Sequence, residues 1–99
     1  MDIKDIHNLF LKCKSVSMDT RKIELNSLFV AIKGERFDAN TFAKEALDKG
    51  ASYVIIDDES YFIDERTILV DDSLVALQNL AKFHREYLKF PIIALTGSN

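Results

Sequence analysis

The sequence predicts an α/β domain with a small, mostly parallel sheet flanked by helices. Short aliphatic runs alternate along the chain with segments of helical periodicity, which is the pattern of parallel strands joined by helices. Of the 99 residues, 47% are hydrophobic and 29% are charged, with only 3 Gly and 1 Pro, as is typical of a globular chain. No internal repeat or low-complexity stretch interrupts the pattern. A chain of this length is enough for one small domain.

The strands are predicted from aliphatic and alternating runs. Residues 15–20, with the sequence SVSMDT, alternate and indicate a short strand that leads into a turn. Runs rich in aliphatic and β-branched residues indicate further strands at 27–32, 53–57, 67–70 and 92–96.

Two helices are predicted from apolar residues at helical spacing in the first half of the chain. The first covers residues 3–13, and the second is centred on residues 42–47. Asp38 and Asn40 are candidate N-caps of the second helix, and Gly50 stands where a C-terminal cap is expected.

The third and longest helix is predicted over residues 72–89, and Pro91 marks its end. The domain boundary is placed at the end of this helix. Residues 1–88 then form one domain, and residues 89–99 contribute the first strand and a truncated loop of a following domain.

Composition excludes several classes of function. The formal net charge of −3 gives no basic surface and argues against nucleic acid as the main partner. The single Cys13 excludes an internal disulfide and a cysteine zinc framework, which suits a reducing cytoplasm. The first ten residues are interrupted by charges and do not form a signal peptide, and no apolar run approaches the roughly 20 residues of a membrane span. We therefore expect a cytoplasmic protein with no membrane partner.

The polar groups between residues 17 and 47 lie in two places, the turn at 19–21 and the loop at 34–40. Loops at the carboxyl ends of parallel strands are where α/β domains bind ligands. The side chains of this turn and loop suit a polar anionic ligand. They offer a hydroxyl for hydrogen bonds, two guanidinium groups for phosphate, a glycine that lets the backbone approach the ligand, and a ring that can stack. These are Thr20, Arg21 and Arg36, Gly34 and Phe37.

A structural explanation of the same residues stays open. Asp19 could pair with Arg21 within the turn, and the loop could serve to cap the following helix with a solvated Arg36. Spacing alone favours this explanation, because capping loops of this kind are common.

The chain ends on Thr96, Gly97, Ser98 and Asn99, directly after an aliphatic run. Backbone N–H groups of a glycine-containing loop can cradle phosphate oxygens. The Gly-Lys-Ser/Thr that completes a Walker loop is not present, so the four residues alone are a weak signal and could form an ordinary exit turn.

Other reactive residues are explained structurally. His7 and His84 lie far apart on predicted helices without a ligand pattern, so core-edge or surface roles are favoured over metal binding. Asp57–Asp58 and Asp71–Asp72 stand at strand ends, where turn and N-cap roles account for them. Cys13 lies on an apolar helix face as a small buried hydrophobe. No catalytic or metal-binding residue is predicted.

The stretch DTRKIELNSLFVAIKGERFDANTFAKEALDKGA (residues 19–51) closely resembles the N-terminal domain of the Mur ligases, which build the peptidoglycan stem peptide. The terminal ALTGSN resembles the start of that family's ATP loop, which usually continues Gly-Lys-Thr-Thr. Within the family, KGERFDAN with the preceding DTRK is most similar to the ligases that add D-alanyl-D-alanine to UDP-N-acetylmuramoyl tripeptide.

The resemblance implies a three-domain enzyme of which this chain is the first domain and a small part of the second. ATP phosphorylates the terminal carboxylate of the substrate, and the incoming amine attacks the acyl phosphate. The N-terminal domain binds the UDP end of the UDP-N-acetylmuramoyl peptide, whereas ATP, magnesium and D-alanyl-D-alanine bind to domains beyond residue 99. The catalytic residues lie there too, so the fragment itself is expected to be inactive and to hold no cofactor.

By position, Met18 and Thr20 match family residues that contact the uridine end. Glu35, Arg36 and Phe37 match the loop beside the same nucleotide, and Asp38 belongs to the motif but is explained equally well as a cap. Thr96 to Asn99 match the opening of the ATP loop. Two features depart from the family: the stretch before SMDTR is shorter than usual, and Asn40 stands where His is frequent.

Two alternatives stay open. A stand-alone α/β module for interaction or regulation predicts no response to nucleotides and a gene that stops near Asn99. The sister ligase that adds the third amino acid shares the Asp-Ser/Thr-Arg turn but carries a different loop after the strand.

Overall fold

The computed structural model describes the backbone of residues 2–33 and 38–95, and the side chains of residues 2–33 and 38–88. Its helices are α1 (Ile3–Leu11), α2 (Ala43–Asp48) and α3 (Ser73–Leu95). Its strands are β1 (Ser15–Ser17), β2 (Ser27–Val30), β3 (Ala51–Ile56) and β4 (Thr67–Leu69). Single 3₁₀ turns at Thr20–Lys22, Ala39–Phe42 and Glu59–Tyr61 lie in the connections after β1, β2 and β3.

The four strands form one parallel sheet in the order β1-β2-β3-β4, which confirms the predicted α/β class. Leu28 of β2 lies opposite Tyr53 of β3, and Val54 of β3 lies opposite Thr67 of β4. Because all four strands run in the same direction, their carboxyl ends share one edge of the sheet. The polar turns that follow the strands are therefore neighbours in space.

Helices cover both faces of the sheet and create two hydrophobic cores. Alternate side chains of β2 point to opposite faces, so Phe29 packs on the α2 side while Leu28 and Val30 pack on the side of α1 and α3. Every residue of β2 is buried. A strand covered on both faces needs apolar residues at consecutive positions, which is why the central strands appear as continuous aliphatic runs.

Gly50 lies at the end of α2 as predicted, and Asp38 caps the 3₁₀ turn before α2 rather than α2 itself. The prediction that Asn40 is an N-cap is wrong, since the N-cap position of α2 is Phe42 and has no side-chain cap hydrogen bond. The Asp38 carboxylate accepts a hydrogen bond from the Asn40 backbone N–H and caps the 3₁₀ turn that leads into α2. Gly50 follows the C-terminal cap of α2 and has a φ of +120°. Glycine adopts this backbone region without the steric cost that a Cβ atom would impose, so its position at the end of the helix has a backbone cause.

The strand predicted over residues 92–96 is wrong over the part that the structure describes. The backbone is helical from Ser73 to Leu95, so Pro91 lies within α3 rather than after its end. An apolar run of four or five residues suits a buried strand and a helix end equally, and periodicity does not separate them. The local helix also satisfies the backbone N–H and C=O groups without a neighbouring strand. The division of the chain between residues 88 and 89 stays a prediction.

Within the part of the chain that the structure describes, none of the helices combines the length and apolar character required to span a bilayer.

Candidate functional site

The carboxyl edge of the sheet holds those predicted site residues that the structure describes. Met18, Thr20 and Arg21 form the turn directly after β1. Asp38 lies beyond the end of β2, where an isolated antiparallel bridge pairs it with Lys33. The remaining predicted residues lie outside the described part of the chain: Gly34, Glu35, Arg36, Phe37, Thr96, Gly97, Ser98 and Asn99.

A cavity of about 430 Å³ opens at this edge, between the turn after β1 and the 3₁₀ turn before α2. The structure brings Met18, Thr20 and Arg21 together around it, while Asp38 is the chain neighbour of a lining residue. Its volume lies within the range of about 300–1,000 Å³ that is usual for small-molecule sites. The described residues that line it are Met18, Asp19, Thr20, Arg21, Phe29, Ala39 and Phe42.

Apolar side chains form the floor and the mouth of the cavity. Phe29 is 1% exposed, whereas Met18 is 56% exposed and Phe42 is 38% exposed. The ring of Phe42 and the thioether of Met18 give a partly open apolar surface of the kind that packs against a planar ring. The sequence predicts Phe42 as part of the second helix, on the same face as Ala43, Ala46 and Leu47. The observed turn at Ala39–Phe42 is 3₁₀, with about three residues per turn, so the α-helical face does not extend to it.

Asp19 and Arg21 form a bidentate ion pair inside the turn. Arg21 Nη2 donates to Asp19 Oδ2 over 2.9 Å, and Arg21 Nε donates to Asp19 Oδ1 over 3.1 Å. The hydrogen bonds from the Arg21 side chain and backbone N–H lower the pKa of Asp19 to about 2. This pairing is the structural explanation that the sequence left open. A phosphate would have to share the Arg21 guanidinium with a carboxylate that repels it.

The same Asp-x-Arg geometry occurs a second time, at Asp64 and Arg66 before β4. Arg66 Nη2 donates to Asp64 Oδ2 over 2.7 Å, and the Arg66 N–H donates to Asp64 Oδ1 over 2.8 Å. This second turn lies at the opposite edge of the sheet, where the strands begin. The turn geometry alone is therefore no evidence of a ligand, and any role of Arg21 depends on its position beside the cavity.

Thr20 connects the turn to helix α2. Its carbonyl oxygen accepts a hydrogen bond from Lys49 Nζ over 2.9 Å, and Lys49 also pairs with Glu45 over 3.1 Å. The hydrogen bond from Lys49, followed by that from Thr20, lowers the pKa of Glu45. Lys49 and Glu45 thus hold the turn after β1, which forms one wall of the cavity, against α2. Helix α2 directly follows the 3₁₀ turn that forms the opposite wall.

Asn40 is a fully buried polar residue that the sequence predicts as a candidate N-cap, but its side chain does not cap α2. Its Nδ2 donates to Asp38 Oδ1 over 2.6 Å and to Asp57 Oδ1 over 2.8 Å. Its Oδ1 accepts from the Asp57 N–H over 2.9 Å. Asp57 Oδ2 accepts from the N–H of Ser73 at the start of α3, over 3.0 Å. Asn40 and Asp57 together therefore join three segments at the carboxyl edge of the sheet.

The charge on Asp38 is maintained in this network. Desolvation by burial raises the pKa of its carboxyl, but hydrogen bonds from the Asn40 side chain and backbone, together with Lys33, outweigh it. The net effect lowers the pKa of Asp38 below its ordinary value. Asn40 Nδ2 thus donates to an ionised carboxylate at Asp38, and hydrogen bonds to charged groups are the stronger kind.

Two further acids at strand ends have the capping roles that the sequence predicts. Asp58 accepts from the Ser60 N–H over 2.9 Å, and Asp72 accepts from the N–H groups of Leu74 and Val75 at the start of α3. Among the described residues, no group of three or more His, Cys, Asp or Glu side chains could hold a metal ion.

His7 and His84 are not far apart, contrary to the sequence expectation. His7 Nε2 lies 3.1 Å from His84 Nδ1, so the two rings share a hydrogen bond between α1 and α3. His7 is 2% exposed and is surrounded by the rings of Phe10, Phe83 and Tyr87. Burial, with a smaller effect of His84, lowers the pKa of His7. The pair is part of the packing between α1 and α3. A local sequence pattern cannot predict this contact, because the two residues are 77 positions apart.

Cys13 packs against the core beneath α1 and α3 as a small hydrophobe, but it is half-buried rather than buried as predicted. Its Sγ donates to the Leu9 carbonyl oxygen over 3.4 Å, and burial raises the pKa of the thiol. A raised pKa leaves the group as a thiol, which is a poor nucleophile.

Comparison with known proteins gives one family. The model of the Mur ligase family, catalytic domain, matches residues 12–85. The UDP-N-acetylmuramoyl-tripeptide–D-alanyl-D-alanine ligase of Bacillus subtilis is 44% identical over 86 residues, which cover 85% of this chain and 19% of that protein. The UDP-N-acetylmuramoyl-L-alanyl-D-glutamate–2,6-diaminopimelate ligase 2 of Clostridium acetobutylicum is 38% identical over 93 residues, which cover 90% of this chain and 19% of that protein.

The fold agrees with a solved structure of the same family. The crystal structure of the MurF ligase from Thermotoga maritima in complex with ADP has a TM-score of 0.65 and 32% identity, over 73% of this chain and 16% of that chain. The chain spans 19% of the length of the curated relatives described above. The family model covers most of the chain and the relatives exceed 30% identity, so this chain belongs to the Mur ligase family.

Proposed function

We propose that this chain docks the UDP end of UDP-N-acetylmuramoyl tripeptide for an ATP-dependent ligase that adds D-alanyl-D-alanine. The observation that carries the proposal is the cavity at the carboxyl edge of the sheet, where Met18, Thr20 and Phe42 meet. Nucleotides bind at this edge in parallel α/β folds. The 44% identity to the Bacillus subtilis ligase supports the choice of substrate.

The geometry suggests how the nucleotide would be held. Met18 and Phe42 offer apolar surface at the mouth for the uracil ring or the ribose, and the Thr20 hydroxyl can donate or accept a hydrogen bond. The ion pair with Asp19 makes Arg21 a weak candidate for the phosphates. We therefore assign phosphate contact to the 34–37 segment, in particular to Arg36, whose guanidinium group suits a phosphate.

In the longer protein, the reaction is proposed to be amide formation in the cytoplasm. ATP would convert the terminal carboxylate of the tripeptide to an acyl phosphate, and the amine of D-alanyl-D-alanine would displace inorganic phosphate. Thr96, Gly97, Ser98 and Asn99 are proposed to open the ATP loop, with magnesium bound beyond them. The described residues contribute binding and orientation of the substrate, and no catalytic step is assigned to them.

A second candidate is the ligase that adds 2,6-diaminopimelate to the dipeptide precursor. The 38% identity to the Clostridium acetobutylicum ligase favours it. Both candidates share a UDP-linked substrate, so the cavity does not separate them. Adding UDP-muramoyl dipeptide or tripeptide to the longer protein with each amine, and measuring phosphate release from ATP, distinguishes the two.

A titration with nuclear magnetic resonance detection tests the docking role in the 99-residue chain. We expect UDP to perturb the amides of Met18, Thr20 and Phe42, while uridine alone perturbs them less and inorganic phosphate least. Perturbations confined to α1 and the far end of α3 would refute the site. No response to UDP or to UDP-muramoyl tripeptide would favour the stand-alone interaction module, and a gene that continues with Gly-Lys-Thr would favour the ligase.

A further inference from the structure

We propose that Asn40 is a positioning residue of the docking cavity. It fixes the 3₁₀ turn at Ala39–Phe42 to the end of β3 and so holds the cavity wall formed by that turn in place. The proposal rests on the function proposed above, because it concerns how well the same cavity binds a uridine nucleotide. Asn40 itself does not line the cavity, so it acts through Ala39 and Phe42.

The first step of the argument is the position of Asn40 between two lining residues. Ala39 and Phe42 lie on the same short 3₁₀ turn as Asn40, and both line the cavity. Ala39 is 3% exposed and Asn40 is fully buried, so this turn is packed against the sheet rather than free in solvent. Any shift of Asn40 therefore moves the wall that faces Thr20.

The second step is the strength of the anchor. Asn40 uses both hydrogens of its amide and its carbonyl oxygen, with Asp38 and Asp57 as partners. Removing one partner from a buried network leaves other groups unsatisfied, which costs more than the bond itself is worth. Asp57 is in turn fixed by the N–H of Ser73, so the anchor reaches the start of α3.

The third step is charge. Asp38 and Asp57 both direct a carboxylate oxygen at the Asn40 amide, at 2.6 and 2.8 Å. A side chain at residue 40 needs two donors to satisfy both acids at once, and a carboxylate has none. A carboxylate at residue 40 would face two further carboxylates, and like charges at such distances repel. The turn would then be expected to move away from β3 and to displace Phe42.

The variant Asn40→Asp tests this inference, because it keeps the shape of the side chain and exchanges the two donors for an acceptor. Asn8→Asp is the matched control, since Asn8 is exposed on α1 and the net charge changes equally. We expect Asn40→Asp to weaken UDP binding at least about fivefold, the scale of one lost hydrogen bond. Asn8→Asp should bind as the parent chain does.

A rescue separates positioning from general destabilisation. In the double variant Asn40→Asp with Asp57→Asn, the amide at residue 57 can donate to the carboxylate at residue 40 and restore the bridge to β3. We expect part of the lost affinity to return. If Asn40→Asp does not fold, Asp57→Asn alone leaves one acceptor oxygen for two donors, Asn40 Nδ2 and the Ser73 N–H. It weakens the bridge without adding negative charge and should weaken UDP binding in the same direction.

The outcomes distinguish the two proposals. If the parent chain does not bind UDP, the docking function fails. If the parent chain binds UDP and folded Asn40→Asp or Asp57→Asn binds equally well, the positioning role of Asn40 is refuted. A loss of unfolding free energy without a loss of affinity would likewise overturn it, because a merely structural residue behaves in that way.

Discussion

Replacing Gly50 with Ala perturbs the junction between α2, β3 and the connection that precedes β2. Gly50 has a φ of +120°, and its carbonyl oxygen accepts a hydrogen bond from the Asn26 N–H over 2.9 Å. A Cβ atom on Gly50 would lie 2.6 Å from Leu25 Cδ2 and 3.3 Å from Leu25 Cα. The substitution therefore has two costs, one in backbone conformation and one in contact with Leu25.

The two costs differ in size. Holding a residue with a Cβ atom in this part of φ/ψ space costs about 1–3 kcal/mol. Leu25 is 72% exposed, so its side chain can rotate into solvent, and the contact with Leu25 Cδ2 is relieved cheaply. The lower entropy of the unfolded Ala chain offsets only part of this cost where the native φ is incompatible. We expect a loss of about 1–3 kcal/mol, which lowers the Tm of a domain of this size by roughly 4–8 °C per kcal/mol.

Urea denaturation followed by circular dichroism measures the loss in the free energy of unfolding. The double variant Leu25→Ala with Gly50→Ala is the informative control, because it removes the contact with the Leu25 side chain and leaves the backbone conformation unchanged. Backbone strain predicts that the double variant, compared with Leu25→Ala alone, still loses about 1–3 kcal/mol. A loss below about 0.5 kcal/mol for Gly50→Ala, or its disappearance in the Leu25→Ala background, would refute the reasoning.

Two further predictions concern the core on the side of α1 and α3. Because the pKa of His7 is lower in the folded chain than its ordinary value of 6.5, its contribution to stability is fully present above that pH and is lost as the pH falls below it. The urea midpoint should be higher at about pH 7.5 than at about pH 5.5, and His7→Phe should reduce this difference. An equal difference in the variant would contradict the assignment to His7. Leu28→Ala should cost about 2–5 kcal/mol in unfolding free energy, since Leu28 is fully buried in the sheet. Leu74→Ala, at a position that is 48% exposed, is the control, and similar losses in both variants would show that the core is placed wrongly.

Local patterns were sufficient for much of the fold. The run at 27–32 predicted β2 because a central parallel strand is apolar on both faces, and the two-residue spacing of Asp19 and Arg21 predicted their ion pair as one of two alternatives. The end of α3 could not be predicted in this way, since a short apolar run before Thr96 fits a strand or a helix.

The site was harder to predict than the sheet because its decisive contacts are not local. Asn40 and Asp57 are separated by 17 residues, and His7 and His84 by 77. Helix and strand periodicity relates residues only a few positions apart, so it says nothing about either pair. These side chains meet only when the sheet and its helices have assembled. Phe42 was missed for a different reason, since a 3₁₀ turn replaces the first turn of the predicted helix.

The second Asp-x-Arg turn gives the molecule an internal reference for ligand studies. Arg21 and Arg66 each donate Nε and Nη2 to a carboxylate two residues earlier, yet only Arg21 lies beside the cavity. We therefore expect a nucleotide at the cavity to shift the guanidinium resonances of Arg21 and to leave those of Arg66 unchanged. The difference between the Arg21 and Arg66 signals in one sample then measures how much of the cavity is occupied. No comparison between separate protein preparations is needed.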